Sequence, residues 1–143
     1  DWGAELDGYC SDCTRTVAAG EPTNEAREIY ELVLEAQLAG VEAVKAGADG
    51  REVDGIARAV IVEGGHGDEF GHGLGHGVGL AVHEAPRLSQ RSDDVLAAGN
   101  VVTVEPGIYL PGRFGVRIED LVVATDDGAD VLTSVSKRLI VTD

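Results

Sequence analysis

The stretch GHGLGHGVGL, residues 71–80, constrains this chain more than any other. Glycine holds every odd position from 71 to 79, while His72, Leu74, His76, Val78 and Leu80 hold the even ones. A helix through so many glycines would forfeit about 1 kcal/mol at each relative to alanine, so the segment is expected to be extended. Residues two apart on a strand share a face, which points His72 and His76 the same way, about 13 Å apart at roughly 3.3 Å per residue. Both cannot reach one metal ion, so one imidazole reads as a ligand and the other as a substrate contact. Alternate glycines also admit a ligand or a second backbone at contact distance, which suits a site better than a core strand. The competing reading has both histidines satisfying buried backbone groups.

The rest of the chain supplies a framework for that segment. Asp7-Gly8 is a two-residue hairpin signal that folds residues 1–6 back on residues 9–15. The pairing sets Leu6 opposite Tyr9, Gly3 opposite Asp12 and Asp1 opposite Thr14. Asp1 and Asp12 then share a face as diagonal neighbours with Cβ atoms within about 7 to 8 Å, close enough for their carboxylates to hold a cation or a pair of cations. Two surface aspartates on an acidic protein would give the same pattern. Cys10 and Cys13 form a C-x-x-C, but on a strand expected from Tyr9 to Val17 they point to opposite faces and share neither a metal nor a bond. They read as packing cysteines in a reducing compartment.

Two helices follow. Thr23 caps the first, whose core face is Ile29, Leu32, Val33, Ala36, Gly40 and Ala43, with Gly47 closing it. Asp49 and Glu52 resemble a capping box for the second, lined by Val53, Ile56, Ala57 and Val60 and ended by Gly64-Gly65. Beyond the glycine-rich segment, NVVTVEPGIYLP and GVRIEDLVVA read as strands, and Asp126-Asp127-Gly128 turns the chain into a last strand from Asp130 to Leu132. The fold class is α+β, antiparallel strands with helices on one face.

Three further positions carry chemistry. His83, in HEAP, can donate to a carbonyl oxygen, and Pro86 is expected to fix a turn there. Glu105 closes the apolar run Val101 to Val104 immediately before Pro106-Gly107, a strand end where side chains commonly enter sites. Arg117 and Glu119 are two apart in GVRIED, so the arginine can orient a carboxylate, or the pair can be an ordinary ion network. Together Asp1, Asp12, His76, Glu105 and Glu119 make four carboxylates and one imidazole, an oxygen-rich set suited to Mn²⁺, Fe²⁺, Co²⁺ or Zn²⁺. Two divalent ions would balance the four negative charges, and without them the carboxylates would raise one another's pKa.

Charge excludes several partners. Twenty-six acidic against 11 basic residues give a net charge of -15 over 143 residues, which repels nucleic acid and anionic membrane surfaces. The basic set holds only two lysines, Lys45 and Lys137, a balance suited to a high-salt cytoplasm where self-repulsion is screened. No apolar run approaches the roughly 20 residues of a bilayer span and no signal segment opens the chain, so the expected location is cytoplasmic. The chain starts without methionine and with a strand pattern already under way, which points to a longer polypeptide.

DWGAELDGYCSDCTRT, HGLGHGVGLAVHEAP, TVEPGIYLP and GVRIED, in this order and spacing, resemble segments of the pita-bread metallopeptidases, in particular the Xaa-Pro dipeptidases (prolidases) and aminopeptidase P. The form HGLGHGVGL is closer to this proline-directed branch than to methionine aminopeptidase. The resemblance implies a pita-bread fold, a curved antiparallel sheet with helices outside, in which residues 1–143 are the C-terminal part of one catalytic domain whose N-terminal part lies upstream. It implies that Asp1 chelates one metal, that Asp12 and Glu119 bridge two, and that His76 and Glu105 complete the second site. Manganese is the expected metal, with cobalt, zinc or iron as alternatives. Glu105 would move the proton as general base and then acid, His72 and His83 would contact substrate and the charge that develops on it, and Arg117 would orient the carboxylates. The implied reaction is hydrolysis of the peptide bond before proline, in a dipeptide or at a peptide N-terminus, by an enzyme that is often a homodimer. Two alternatives share the fold: a metal-dependent hydrolase or lyase of a small non-peptide compound, and a non-catalytic interaction module.

Overall fold

Positive φ at Asp7 (51°) and Gly8 (86°) gives the two-residue turn that joins β1 (Trp2–Leu6) to β2 (Tyr9–Cys13). In the computed structural model, which describes residues 1–143, the hairpin register is Leu6 opposite Tyr9 and Gly3 opposite Asp12, as the turn dictates. The expected strand to Val17 is interrupted. Thr14, Arg15 and Thr16 leave β2 to bond residues 117–120, and β3 (Val17–Ala19) belongs to a different sheet.

Helix α1 (Asn24–Ala43) is capped by the Thr23 hydroxyl, which accepts from Ala26 N–H, and ends at Val44, ahead of Gly47. It buries Ile29, Val33, Ala36 and Gly40 as the spacing requires, together with Tyr30 and Gln37. Helix α2 (Gly50–Glu63) starts from Asp49, whose carboxylate accepts from the Arg51 and Glu52 amides, and closes at Gly64. Its core face is Val53, Ala57 and Ile61. Ile56, expected inside, is 48% exposed, because the face turns toward Asp54 instead. The helices cross where Gly40 faces Ala57, Leu74 and Val104, and a Cβ there would crowd all three.

The main sheet has the order β10-β9-β6-β4-β5 and is antiparallel throughout, built from β4 (Gly75–Gly77), β5 (Glu84–Leu88), β6 (Val101–Val104), β9 (Asp120–Ala124) and β10 (Ala129–Val131). Only three residues of the glycine-rich segment form strand; the rest is irregular. A Cβ at Gly75 would overlap the Thr103 carbonyl, and one at Gly77 the Ala85 carbonyl, so the glycines admit flanking backbone. Pro86, expected in a turn, lies inside β5 after a cis Ala85–Pro86 bond; β5 is an edge strand, where a missing N–H is tolerated. GVRIEDLVVA is two strands, since β8 (Phe114–Arg117) pairs with β7 (Gly107–Leu110) and β9 joins the main sheet. The last strand, β11 (Ile140–Thr142), runs parallel to β3. Nineteen buried apolar side chains from both helices and the sheet form one core. No helix is long and apolar enough to cross a membrane.

Candidate metal centre

Helix α2 fixes the loop that carries His72. Asp54, fully buried, accepts from Arg58 and from the Leu74 amide at 2.9 Å, while Arg58 donates to the carbonyls of Phe70 (2.9 Å) and His72 (2.6 Å). β4 then presents His76 beside the end of β6. The Thr103 hydroxyl accepts from the His76 amide at 3.1 Å and donates to Glu105 at 2.9 Å, so one side chain sets both residues.

Asp12, His76 and Glu119 offer donor atoms that all lie within 4.8 Å of one another. His76 Nε2 is 3.9 Å from Asp12 and 3.1 Å from Glu105, while Nδ1 donates to the Gly77 carbonyl at 3.1 Å. That backbone bond leaves Nε2 directed at the carboxylates, the tautomer a metal-binding imidazole requires. Glu119 is 2% exposed and accepts from the Thr14 hydroxyl at 2.6 Å. Burial pushes its carboxyl up to about 7; the charges of Glu105 and Asp12 add to this, and the Thr14 bond opposes it. Burial also opposes charge on His76, but its bonds to Glu105 and Gly77 and the two nearby carboxylates hold it above the ordinary imidazole value. Burial would raise Glu105 too, and the bonds from His76 and Thr103 outweigh it, leaving that carboxyl low. A carboxylate whose charge is disfavoured by other carboxylates, next to an imidazole of fixed tautomer, matches the donor chemistry of a hard divalent cation.

The structure brings together three of the five expected ligands directly and Glu105 through His76. Asp1 stands at the margin: its carboxylate is 65% exposed and pairs with the Arg117 guanidinium. Arg117 also donates to Thr14 Oγ1 at 3.1 Å and to the Tyr109 hydroxyl at 3.3 Å, which links it to Glu119 through Thr14. His72 and His83 both line a cavity of about 310 Å³ with His76, Glu105 and Arg117. His72 is engaged at both nitrogens, with Nδ1 donating to Gly73 O and Nε2 accepting from the Tyr109 hydroxyl, each at 2.8 Å. The exposed His83 ring lies 4.3 Å from the His76 ring, centroid to centroid.

Two residues of the site were not expected from the sequence, one lining this cavity and one behind it. Arg87 contributes a guanidinium that forms no ion pair with the protein, and Tyr109 joins His72 to Arg117. The only signals were a cation four residues after His83 and a tyrosine two residues after Gly107. A second cavity, about 890 Å³, adjoins the first along His72, Gly73 and Ser89.

Residues 1–126 match the model of metallopeptidase family M24. An Xaa-Pro dipeptidase of Pyrococcus furiosus is 54% identical over 140 residues, 98% of this chain and 40% of the relative. Two solved structures superpose closely. One is an Xaa-Pro dipeptidase from Bacillus anthracis (TM-score 0.92, 57% identity, 94% of this chain, 38% of the other); the second is an X-Pro aminopeptidase from Thermotoga maritima (0.94, 48%, 98% and 40%). The chain thus spans about 40% of the length of the relatives it matches.

Proposed function

The chain belongs to metallopeptidase family M24 and shares the pita-bread fold of its structural relatives; on that premise we propose that it hydrolyses the peptide bond preceding proline, using two divalent ions, manganese by preference. The observation that carries this reading is the convergence of Asp12, His76 and Glu119, with Glu105 on His76, at one end of a polar cavity. Asp1, Asp12, His76, Glu105 and Glu119 would hold the ions, with Asp1 exchanging its Arg117 partner for metal. Bound there, divalent ions supply Lewis acidity and acidify water.

The remaining work falls to side chains. Glu105, kept ionised by His76 and Thr103, accepts the proton of the attacking water and returns it to the departing amine. His83, whose ring nitrogens bond no protein group, donates to the oxygen on which negative charge develops. His72, held by Gly73 O and Tyr109, contacts substrate at the mouth of the second cavity. Arg87, which forms no ion pair with the protein, is the cation that meets a substrate carboxylate, while Arg117 stays bonded to Thr14 and Tyr109. A proline carboxylate on Arg87 favours an Xaa-Pro dipeptide over a longer peptide. Residues 1–143 serve as the C-terminal part of one catalytic domain, in a cytoplasmic protein that forms homodimers.

The experiment is cleavage of the Ala–Pro bond, followed as release of the N-terminal alanine together with free proline, prolinamide or Pro-Ala, in Ala-Pro, Ala-Pro-amide and Ala-Pro-Ala by the Mn²⁺-loaded protein. The reading predicts Ala-Pro as the best substrate. Cleavage of none of the three, with turnover of a small non-peptide amide, would replace it.

A further inference from the structure

Thr14 and Arg15 are consecutive, and so are Glu119 and Asp120, on two extended segments joined by the Glu119 amide donating to Thr14 O at 3.1 Å. Alternation sends the first member of each pair toward the metal centre and the second away from it. In front, Thr14 Oγ1 donates to Glu119 Oε2 at 2.6 Å; behind, Arg15 Nη2 donates to Asp120 Oδ1 at 2.7 Å. The back pair is far more heavily bonded than two neighbours need. Arg15 Nη1 donates to the Thr14 carbonyl at 2.8 Å and to the Glu119 carbonyl, while Nη2 and Nε reach Val135 O (2.8 Å) and Ser136 O (3.1 Å). Asp120 is fully buried and also accepts from Gln37 of α1 at 3.0 Å and from the Lys137 ammonium.

One guanidinium therefore fastens three parts of the chain: the exit of β2, the peptide that carries Glu119, and the stretch before β11. A buried ion pair of this kind adds little net stability over an apolar pair of equal volume, because both charges lose their water. What it does supply is geometry. A slip of one residue between the two segments would turn Thr14 and Glu119 away from the centre, and the Arg15 fork is satisfied only in the observed register.

We infer that Arg15, braced by Asp120 and Lys137, is a positioning residue that sets the Glu119 carboxylate and its Thr14 donor for a divalent cation. It touches neither substrate nor metal. The inference rests on the metal reading above, and its test separates the two.

Mn²⁺ affinity is measured by titration calorimetry on wild type, Arg15→Lys and Lys137→Gln, with circular dichroism and the Co²⁺ absorption spectrum of each. Lysine keeps the charge but cannot make the fork. Arg15→Lys is expected to fold, to bind Mn²⁺ about 10- to 100-fold more weakly, as loss of an outer partner of a ligand does, and to shift the Co²⁺ bands. Lys137→Gln, at a partly exposed side chain, is expected to bind severalfold more weakly. A folded Arg15→Lys protein with wild-type affinity and an unchanged Co²⁺ spectrum overturns the inference. If that variant does not fold, Lys137→Gln decides, and unchanged affinity there overturns it equally. Wild type that binds no Mn²⁺ overturns the metal reading itself, and the inference with it.

Discussion

Glu119→Gln in the metal-free protein should raise stability at alkaline pH, an unusual direction for a change at a buried site residue. Glu119 has its folded pKa raised to about 7 from 4.5. Its contribution is therefore fully present below about pH 4.5 and is lost as pH rises through 7, where the folded state must carry a charge its surroundings disfavour. At about 1.4 kcal/mol per unit, ionisation costs the metal-free fold about 3 kcal/mol by pH 8. Glutamine never ionises, and its amide oxygen still accepts from Thr14. His76 and Glu105 titrate in both proteins and cancel in the difference. Thermal unfolding in chelator from pH 4.5 to 8.5 should find the two proteins alike at the acid end. By pH 8 the variant should be ahead by about 3 kcal/mol, a shift in Tm of about 10 °C at this size. Saturating Mn²⁺ should reverse the order, because only wild type gains a ligand bond. Parallel curves in chelator would refute the argument that burial and neighbouring carboxylates disfavour the Glu119 charge.

Other outcomes follow from the same geometry. Arg87→Ala should raise KM for Ala-Pro at least tenfold with little change for Ala-Pro-amide; equal effects on both would remove Arg87 as the carboxylate partner. Tyr109→Phe frees His72 Nε2 and one Arg117 donor, and the lost hydrogen bond, about 1 kcal/mol, should lower kcat/KM roughly fivefold in a steady-state assay. Gly75→Ala puts a methyl onto the Thr103 carbonyl and should cost about 1 to 3 kcal/mol in denaturant unfolding, weakening Mn²⁺ binding as β4 shifts away from Thr103. With a net charge of -15, Tm should climb as KCl is raised toward molar concentrations, and a flat response would remove the high-salt reading.

What could be read from sequence was local. Asp7-Gly8 fixed a turn and hence a register, so Asp12 landed opposite Gly3 without any knowledge of the fold. Thr23 and Asp49 marked helix starts to the residue, because a cap is a bond between near neighbours. Glu105 was legible as a strand end before Pro106-Gly107. What failed depended on distant partners. The expected single strand through GVRIED divides because Thr14 and Thr16, about a hundred positions earlier, bond Arg117 and Glu119 and draw the chain out of the β7–β8 hairpin. Ile56 followed helical spacing into the expected core, yet the helix rotates to bury Asp54, whose Arg58 and Leu74 partners no periodicity reveals. Arg15 and Tyr109 lie inside two of the family-like segments and Arg87 directly after a third, yet the role of each comes from what the fold sets beside it. The placement of Asp1 on Arg117, at the edge of the donor cluster, is likewise a matter of tertiary charge balance.

The account stands on the claim that the carboxylates and His76 hold divalent ions. Metal content per folded chain, by plasma mass spectrometry after Mn²⁺ loading and gel filtration with Glu119→Ala in parallel, tests it most directly. The account predicts close to two ions for wild type and a clear drop in the variant. Near-zero metal in folded wild type, or equal content in both proteins, would contradict it.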